Sequence, residues 1–160
     1  MAPMTAFQIL QGLETLPLRM DRHVANARAI AEFLAGHPMV SGVNHPDLVG
    51  HPDHDLAKAL LPRGAGAVMG FDIKGGREAG RAFIESLQLF SHLANVGDAK
   101  SLVIHPASTT HHRMDAKALE AAGIGEGLIR VSVALEDPDD LIDDPRSALK
   151  GAERAAGVSP

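Results

Sequence analysis

From Met4 to about Gly36 the chain carries a helical pattern that is long for a protein of 160 residues. Met20, Val24, Ala27, Ile30, Ala31 and Leu34 recur at three- and four-residue steps, with Arg19, Arg22, Arg28 and Glu32 off that face. Pro17 falls inside the run, where it removes one donor and crowds the preceding turn, so a kink or a boundary is expected there. Gly36-His37-Pro38 is a stop signal. A helix of this length in a small chain connects to something or crosses a partner. The expected organisation is therefore a long connecting helix over 1–36, kinked near Pro17, a small domain over 37–150 and a tail over 151–160.

The rest of the chain changes period. "VNHPDLVGHPDH" has turn chemistry, and "DLAKALLP" predicts a short helix ended by Pro62. In "GAVMGFDIKGG", Met69, Phe71 and Ile73 alternate with Gly70, Asp72 and Lys74, which predicts a half-buried strand closed by a glycine turn. "REAGRAFIESLQLF" reads as an amphipathic helix with Ala79, Phe83, Leu87 and Phe90 on one face. "HLANVG" and "SLVIHP" are short strand candidates, and "DAKALEAAGIGEG" is a short helix with a glycine exit. In "LIRVSVALE", Ile129, Val131, Val133 and Leu135 face one way while Arg130, Ser132 and Ala134 face the other. "DPDDLIDDPRSALKGAERAA" opens acidic and closes basic, the polarity that a helix dipole favours. The fold class expected is α+β: a small mixed or antiparallel sheet with helices packed on one face, preceded by the long N-terminal helix.

Composition narrows the function. Fifteen basic against twenty acidic residues leave a net charge of −5 and no basic stripe, which argues against nucleic acid as a partner. No apolar run suits a membrane span and no secretory leader is evident, so a soluble, cytoplasmic protein is expected. Without cysteine there is no disulfide or thiolate chemistry. Nine histidines invite a metal reading, with His51, His54, His111 and His112 as its best clusters. These pairs lack the i, i+4 spacing that places two rings on one helix face, so no metal site is expected.

Arg130 is the sharpest single residue. It sits mid-strand opposite an apolar row, and its planar fork matches a carboxylate through two parallel hydrogen bonds. A structural ion pair or a rim position is the competing reading. Asn95, in the turn "ANVG" before the flexible Gly97, could offer its amide to the same anion, or could serve ordinary turn chemistry. Thr109, Thr110 and His111 could line a polar pocket, or could form local hydroxyl-to-backbone bonds.

Three long segments then do more than pattern can. "LQGLETLPLRMDRHVANARAIAEFL", "KGGREAGRAFIESLQLFSHLANVGDAKSLVIHPASTTH" and "GLIRVSVALEDPDDLI" resemble the O-acetylhomoserine sulfhydrylases of the Cys/Met metabolism family of pyridoxal-phosphate enzymes, from about Pro3 to Leu149. The resemblance implies the C-terminal small domain of a fold-type I, aspartate aminotransferase-like enzyme, together with the helix that joins it to the large domain. It implies a transferase of methionine biosynthesis that makes L-homocysteine and acetate from O-acetyl-L-homoserine and sulfide, as a homo-oligomer, typically a tetramer. By the same resemblance Arg130 pairs with the substrate α-carboxylate, Asn95 stands where sister enzymes carry a carboxylate-binding serine, and Thr110 matches a pocket-lining threonine. Pyridoxal 5′-phosphate would be held by the large domain, whose Schiff-base lysine, ring-stacking tyrosine and phosphate ligands have no counterpart here. Lys58, Lys74, Lys100, Lys117 and Lys150 lie in segments that match non-catalytic parts of the family. The chain is thus expected to be a fragment that is inactive alone, with no catalytic or cofactor-binding residue of its own. A stand-alone α+β module that binds an amino acid as a regulatory ligand is the alternative.

Overall fold

The computed structural model describes residues 1–157. The first helical run is two helices, α1 (Pro3–Glu14) and α2 (Leu16–Ala35). The boundary falls at Thr15 (φ −101°, ψ 2°), which places Pro17 in the first turn of α2, where its missing N–H has no helical partner to lose. Helix α2 buries His23, Asn26, Ala27, Ile30, Ala31 and Leu34, so the buried stripe begins at His23, and Met20 stays exposed. Helix α1 buries no residue; Phe7 and Leu10 remain 56% and 60% exposed.

The remaining elements are β1 (Val40–Asn44), α3 (His54–Leu60), β2 (Val68–Ile73), α4 (Gly76–Ser86), β3 (Ser91–His92), β4 (Leu102–Ile104), a 3-10 turn (Pro106–Ser108), α5 (Ala116–Ala121), β5 (Leu128–Ser132) and α6 (Pro138–Ala155). The five strands form one mixed sheet in the order β1-β2-β5-β4-β3, antiparallel throughout except for the parallel pair β3–β4. Its order places β5 at the centre, flanked by β2 and β4.

One face of the sheet carries the core. Met69, Phe71 and Ile73 of β2, Val103 of β4 and Ile129 and Val131 of β5 pack with the apolar sides of α2, α4 and α6. Phe71 meets Phe83 of α4 edge-on, with ring centroids 5.7 Å apart. Burial of these side chains is the main stabilising term, about 1.5–3 kcal/mol for each large one. The far ends of the strands are held by polar side chains of α2. His23 donates from Nδ1 to the Val133 carbonyl at 2.6 Å, and Asn26 donates to the carbonyls of Ala134 and Glu136 at 2.8 and 2.9 Å. These bonds satisfy backbone groups beyond the end of β5, where no neighbouring strand reaches them.

Several expectations are corrected by tertiary contacts. Strand β1 occupies part of the stretch read as turns, because Val40–Asn44 pairs with the edge of β2. Helix α4 stops at Ser86 and does not continue to Phe90. The Asp144 carboxylate of α6 accepts the N–H groups of Gln88, Leu89 and Phe90 at 2.9, 2.9 and 3.2 Å, which offers these donors a partner outside a helix. "HLANVG" is irregular after His92. Helix α6 runs on to Ala155, past the expected start of the tail, of which residues 158–160 lie outside the described residues.

Candidate functional site

Among the described residues, the second face of the sheet bears no layer of helices, and it carries the site. Alternation along β5 turns Arg130 to this face, and the ladder places it directly between Gly70 of β2 and Ile104 of β4. Gly70 adds no side chain here, and Leu128 Cδ1 lies 3.3 Å from where a Cβ on it would sit. Because β5 is the central strand, with partners on both sides, the Cα of Arg130 is held rigidly and only its side chain can move.

Arg130 is half-buried, and among the described residues it forms no ion pair. Its Nη2 donates a long hydrogen bond of 3.4 Å to the main-chain carbonyl of Asn95. The loop that carries Asn95 is tied down at both ends. Leu93 N–H donates to the Val103 carbonyl at 3.2 Å, and Gly97, at φ +75°, donates its N–H to Ser132 Oγ at 3.1 Å. The side-chain carbonyl of Asn95 accepts from Val96 N–H at 2.9 Å, so Asn95 meets Arg130 through its backbone.

Arg130 opens into a cleft of about 490 Å³. Asp72 and Leu128 form part of its floor, Thr110 and His111 one wall, and Gly123 and Ile124 another. Thr110 therefore shares the cleft with Arg130, its Oγ1 2.8 Å from His111 Nδ1. Thr109 instead donates to the His105 carbonyl at 2.8 Å, a local hydroxyl-to-backbone bond.

Two residues passed over in the sequence shape this cleft. Asp72 alternates onto the same face as Arg130, and its carboxyl pKa is pushed up by burial. Part of that burial comes from Gly125, which passes so close that a Cβ there would lie 2.9 Å from Asp72 Oδ1. His105, fully buried at the end of β4, donates from Nε2 to the Glu126 carbonyl at 2.7 Å and accepts at Nδ1 from the Ser108 hydroxyl at 2.8 Å. One imidazole thus ties the turn leading to Thr110 to the loop that follows α5 and feeds β5. Burial pushes its pKa down, with the Glu126 carbonyl bond opposing. The period-two alternation marked Asp72 as outward-facing. Nothing local marked His105 as a tie, because its partner lies 21 residues away.

The histidines of the metal reading are engaged elsewhere. His51 Nε2 lies 2.8 Å from Asn44 Oδ1, His54 Nδ1 is 2.9 Å from the Pro46 carbonyl, and His112 Nδ1 is 2.8 Å from the Thr109 carbonyl. Among the described residues, no three His, Asp or Glu side chains converge on one point.

A model of the Cys/Met metabolism PLP-dependent enzymes matches residues 1–150. The chain is 52% identical over 150 residues to an O-acetyl-L-homoserine sulfhydrylase of Leptospira meyeri, covering 93% of this chain and 34% of that protein. It is 45% identical over 152 residues to an L-methionine gamma-lyase of Pseudomonas putida, covering 95% and 38%. Among solved structures, a cystathionine gamma synthase of Xanthomonas oryzae in complex with cystathionine superposes with a TM-score of 0.85 at 46% identity, covering 96% and 40%. An O-acetylhomoserine (thiol)-lyase structure from Campylobacter jejuni, which carries N′-pyridoxyl-lysine-5′-monophosphate, gives 0.84 at 43% identity, covering 94% and 36%. The chain spans about a third of the length of the curated relatives it matches.

Proposed function

Because the chain belongs to the Cys/Met metabolism family of PLP-dependent enzymes, we propose that its open-face cleft receives the α-carboxylate of the amino-acid substrate, with Arg130 as the anchor. The reaction we assign to the complete enzyme is the γ-replacement that turns O-acetyl-L-homoserine and sulfide into L-homocysteine and acetate, in line with the Leptospira relative. The observation that supports the anchor is a half-buried guanidinium on the central strand, with no ion pair among the described residues, facing a cleft.

The residues present do not fit the cofactor itself. The cleft is lined by no lysine, and Lys58, Lys74, Lys100, Lys117 and Lys150 are all exposed, whereas a Schiff-base amine needs desolvation or a charged neighbour to be reactive at neutral pH. There is no tyrosine or tryptophan in the chain to stack on a pyridine ring. No step on the ring is therefore assigned to these residues, and the reading places pyridoxal phosphate on a large domain outside the 160 residues.

What this chain does is orient. Two parallel N–H···O bonds from the guanidinium fix the plane of the carboxylate, and with it the direction of the Cα bonds. Thr110, His111 and Ile124 line the same cleft. Asn95 holds the guanidinium from behind through its carbonyl. The test is Arg130→Ala in the enzyme that joins this domain to its large domain. KM for O-acetyl-L-homoserine should rise steeply, a loss of about 2–5 kcal/mol in transition-state binding. Unchanged kinetics would reject the anchor. Elimination from L-methionine in preference to sulfide addition would reject the reaction and leave the anchor standing.

A further inference from the structure

We propose that Ser132 is a positioning residue for the carboxylate anchor: by fixing the Gly97 amide it keeps the Asn95 carbonyl against the Arg130 guanidinium. This rests on the reading of Arg130 as the anchor and names what holds that side chain ready.

Arg130 and Ser132 stand two residues apart on the central strand β5 and share its open face. The loop from Leu93 to Lys100, between β3 and β4, meets the pair with the same two-residue step. The Asn95 carbonyl accepts from Arg130 Nη2 at 3.4 Å, and the Gly97 N–H donates to Ser132 Oγ at 3.1 Å. Gly97 turns the loop at φ +75°, a conformation that glycine adopts without strain.

Little else fixes the middle of this loop. Every residue from Leu93 to Lys100 is exposed, its apolar Leu93 and Val96 included, so side-chain burial does not hold it in place. Its ends are anchored. Leu93 N–H donates to the Val103 carbonyl at 3.2 Å, and the N–H and hydroxyl of Ser101 donate to the Glu136 carboxylate at 2.6 and 2.9 Å. Between those ends, among the described residues, only the bonds to Arg130 and Ser132 leave the loop; the others run within it, from Asn95, Val96 and Lys100. Ser132 is itself buried, paired in the ladder with Val68 and Leu102, so its oxygen is a fixed point.

An untethered arginine gives up rotamer freedom when it binds an anion. The Asn95 carbonyl restricts the guanidinium beforehand and uses one N–H of Nη2, which leaves parallel N–H groups for a carboxylate. Without the Ser132 oxygen the Gly97 N–H turns to water, the middle of the loop drifts, and Arg130 loses its rest. The effect falls on substrate binding.

The test has two parts. In this chain, hydrogen exchange of the Gly97 amide should be slower than that of an open loop amide, and Ser132→Ala should remove the protection. In the enzyme that joins this domain to its large domain, Ser132→Ala should raise KM for O-acetyl-L-homoserine by about two- to tenfold, the scale of immobilising one long side chain, and leave kcat within about twofold. In an Arg130→Ala background the same change should add nothing, because Ser132 acts through Arg130. An unprotected Gly97 amide in the parent, an unchanged KM in Ser132→Ala, or a KM effect that persists in the Arg130→Ala background overturns the role of Ser132. Each of these leaves the anchor standing as long as Arg130→Ala raises KM; if Arg130→Ala leaves KM unchanged, the anchor falls and the role of Ser132 with it.

Discussion

Gly80 of α4 packs directly against the imidazole of His105: a Cβ at Gly80 would lie 2.6 Å from Nε2 and 2.8 Å from Cδ2. The absence of a side chain on one residue is therefore what admits the ring of the other. That ring in turn holds the Glu126 carbonyl and the Ser108 hydroxyl, and through them two walls of the cleft in which Arg130 lies. A helix on the core side of the sheet is thereby coupled to the geometry of the open face.

Gly80→Ala should accordingly destabilise the chain even though alanine is the better helix former. Overpacking against a buried ring costs about 1–3 kcal/mol, which outweighs the gain in helix propensity of about 1 kcal/mol. Urea unfolding monitored by circular dichroism gives the difference, and an alanine variant as stable as the parent would contradict the close packing.

His105 should titrate below the ordinary 6.5, because burial disfavours its charged form. The folded state then binds fewer protons than the unfolded state just below 6.5. Stability should rise with pH across that window and be lost as pH falls from 6.5 through the folded pKa. The imidazole shift of His105 followed by NMR from pH 8 to 4 reads its pKa directly. A midpoint at or above 6.5 would refute the assignment.

Asp72 carries the opposite sign. Its folded pKa is raised above 3.8 by burial, so the folded state binds the proton more readily, and stability should fall as pH rises through the folded pKa. Asp72→Asn, which removes the charge at constant shape, should be more stable than the parent at neutral pH. The two should converge in acid, below both pKa values. Thermal unfolding of the pair at pH 7 and pH 3 checks the sign, and a parent that is the more stable at pH 7 would refute it.

Asp144 should matter more than its place on the acidic side of α6 suggests. Its carboxylate accepts three successive main-chain N–H groups, from Gln88, Leu89 and Phe90, and so joins α6 to the end of α4. Asp144→Ala should cost about 1–3 kcal/mol, since donors near the buried Phe90 lose their partner. Neighbouring Asp143, more exposed and paired only with Arg146 one turn on, should tolerate alanine within about 0.5 kcal/mol. Parallel unfolding of the two variants separates the roles; equal losses would show that the carboxylate bonds are not stabilising.

Much of this protein follows from its amino-acid order read locally. The apolar row Ile129 and Val131 and the outward Arg130 emerge from period-two alternation, because a strand sends successive side chains to opposite faces whatever lies beyond it. Asp137 at the start of α6 caps it by accepting from Asp139 N–H at 3.0 Å, a contact between near neighbours that the sequence encodes directly. The long family-like segments reach further still, since they point to the Cys/Met metabolism family that the match over residues 1–150 bears out, which no periodicity contains.

Other features belong to the tertiary structure alone. Strand β1 forms because β2 offers it an edge; the end of α4 is set by a carboxylate 54 to 56 residues later; and His23 and Asn26 are buried because the carbonyls beyond β5 need donors. The cleft is of the same kind. Arg130, Asp72, Thr110 and Ile124 come from four separate stretches, and only the pairing of β2 with β5 and the His105 tie bring them together. A residue's own sequence neighbourhood sets its backbone preference and the face it presents, whereas its partners across the sheet depend on the register of the whole fold.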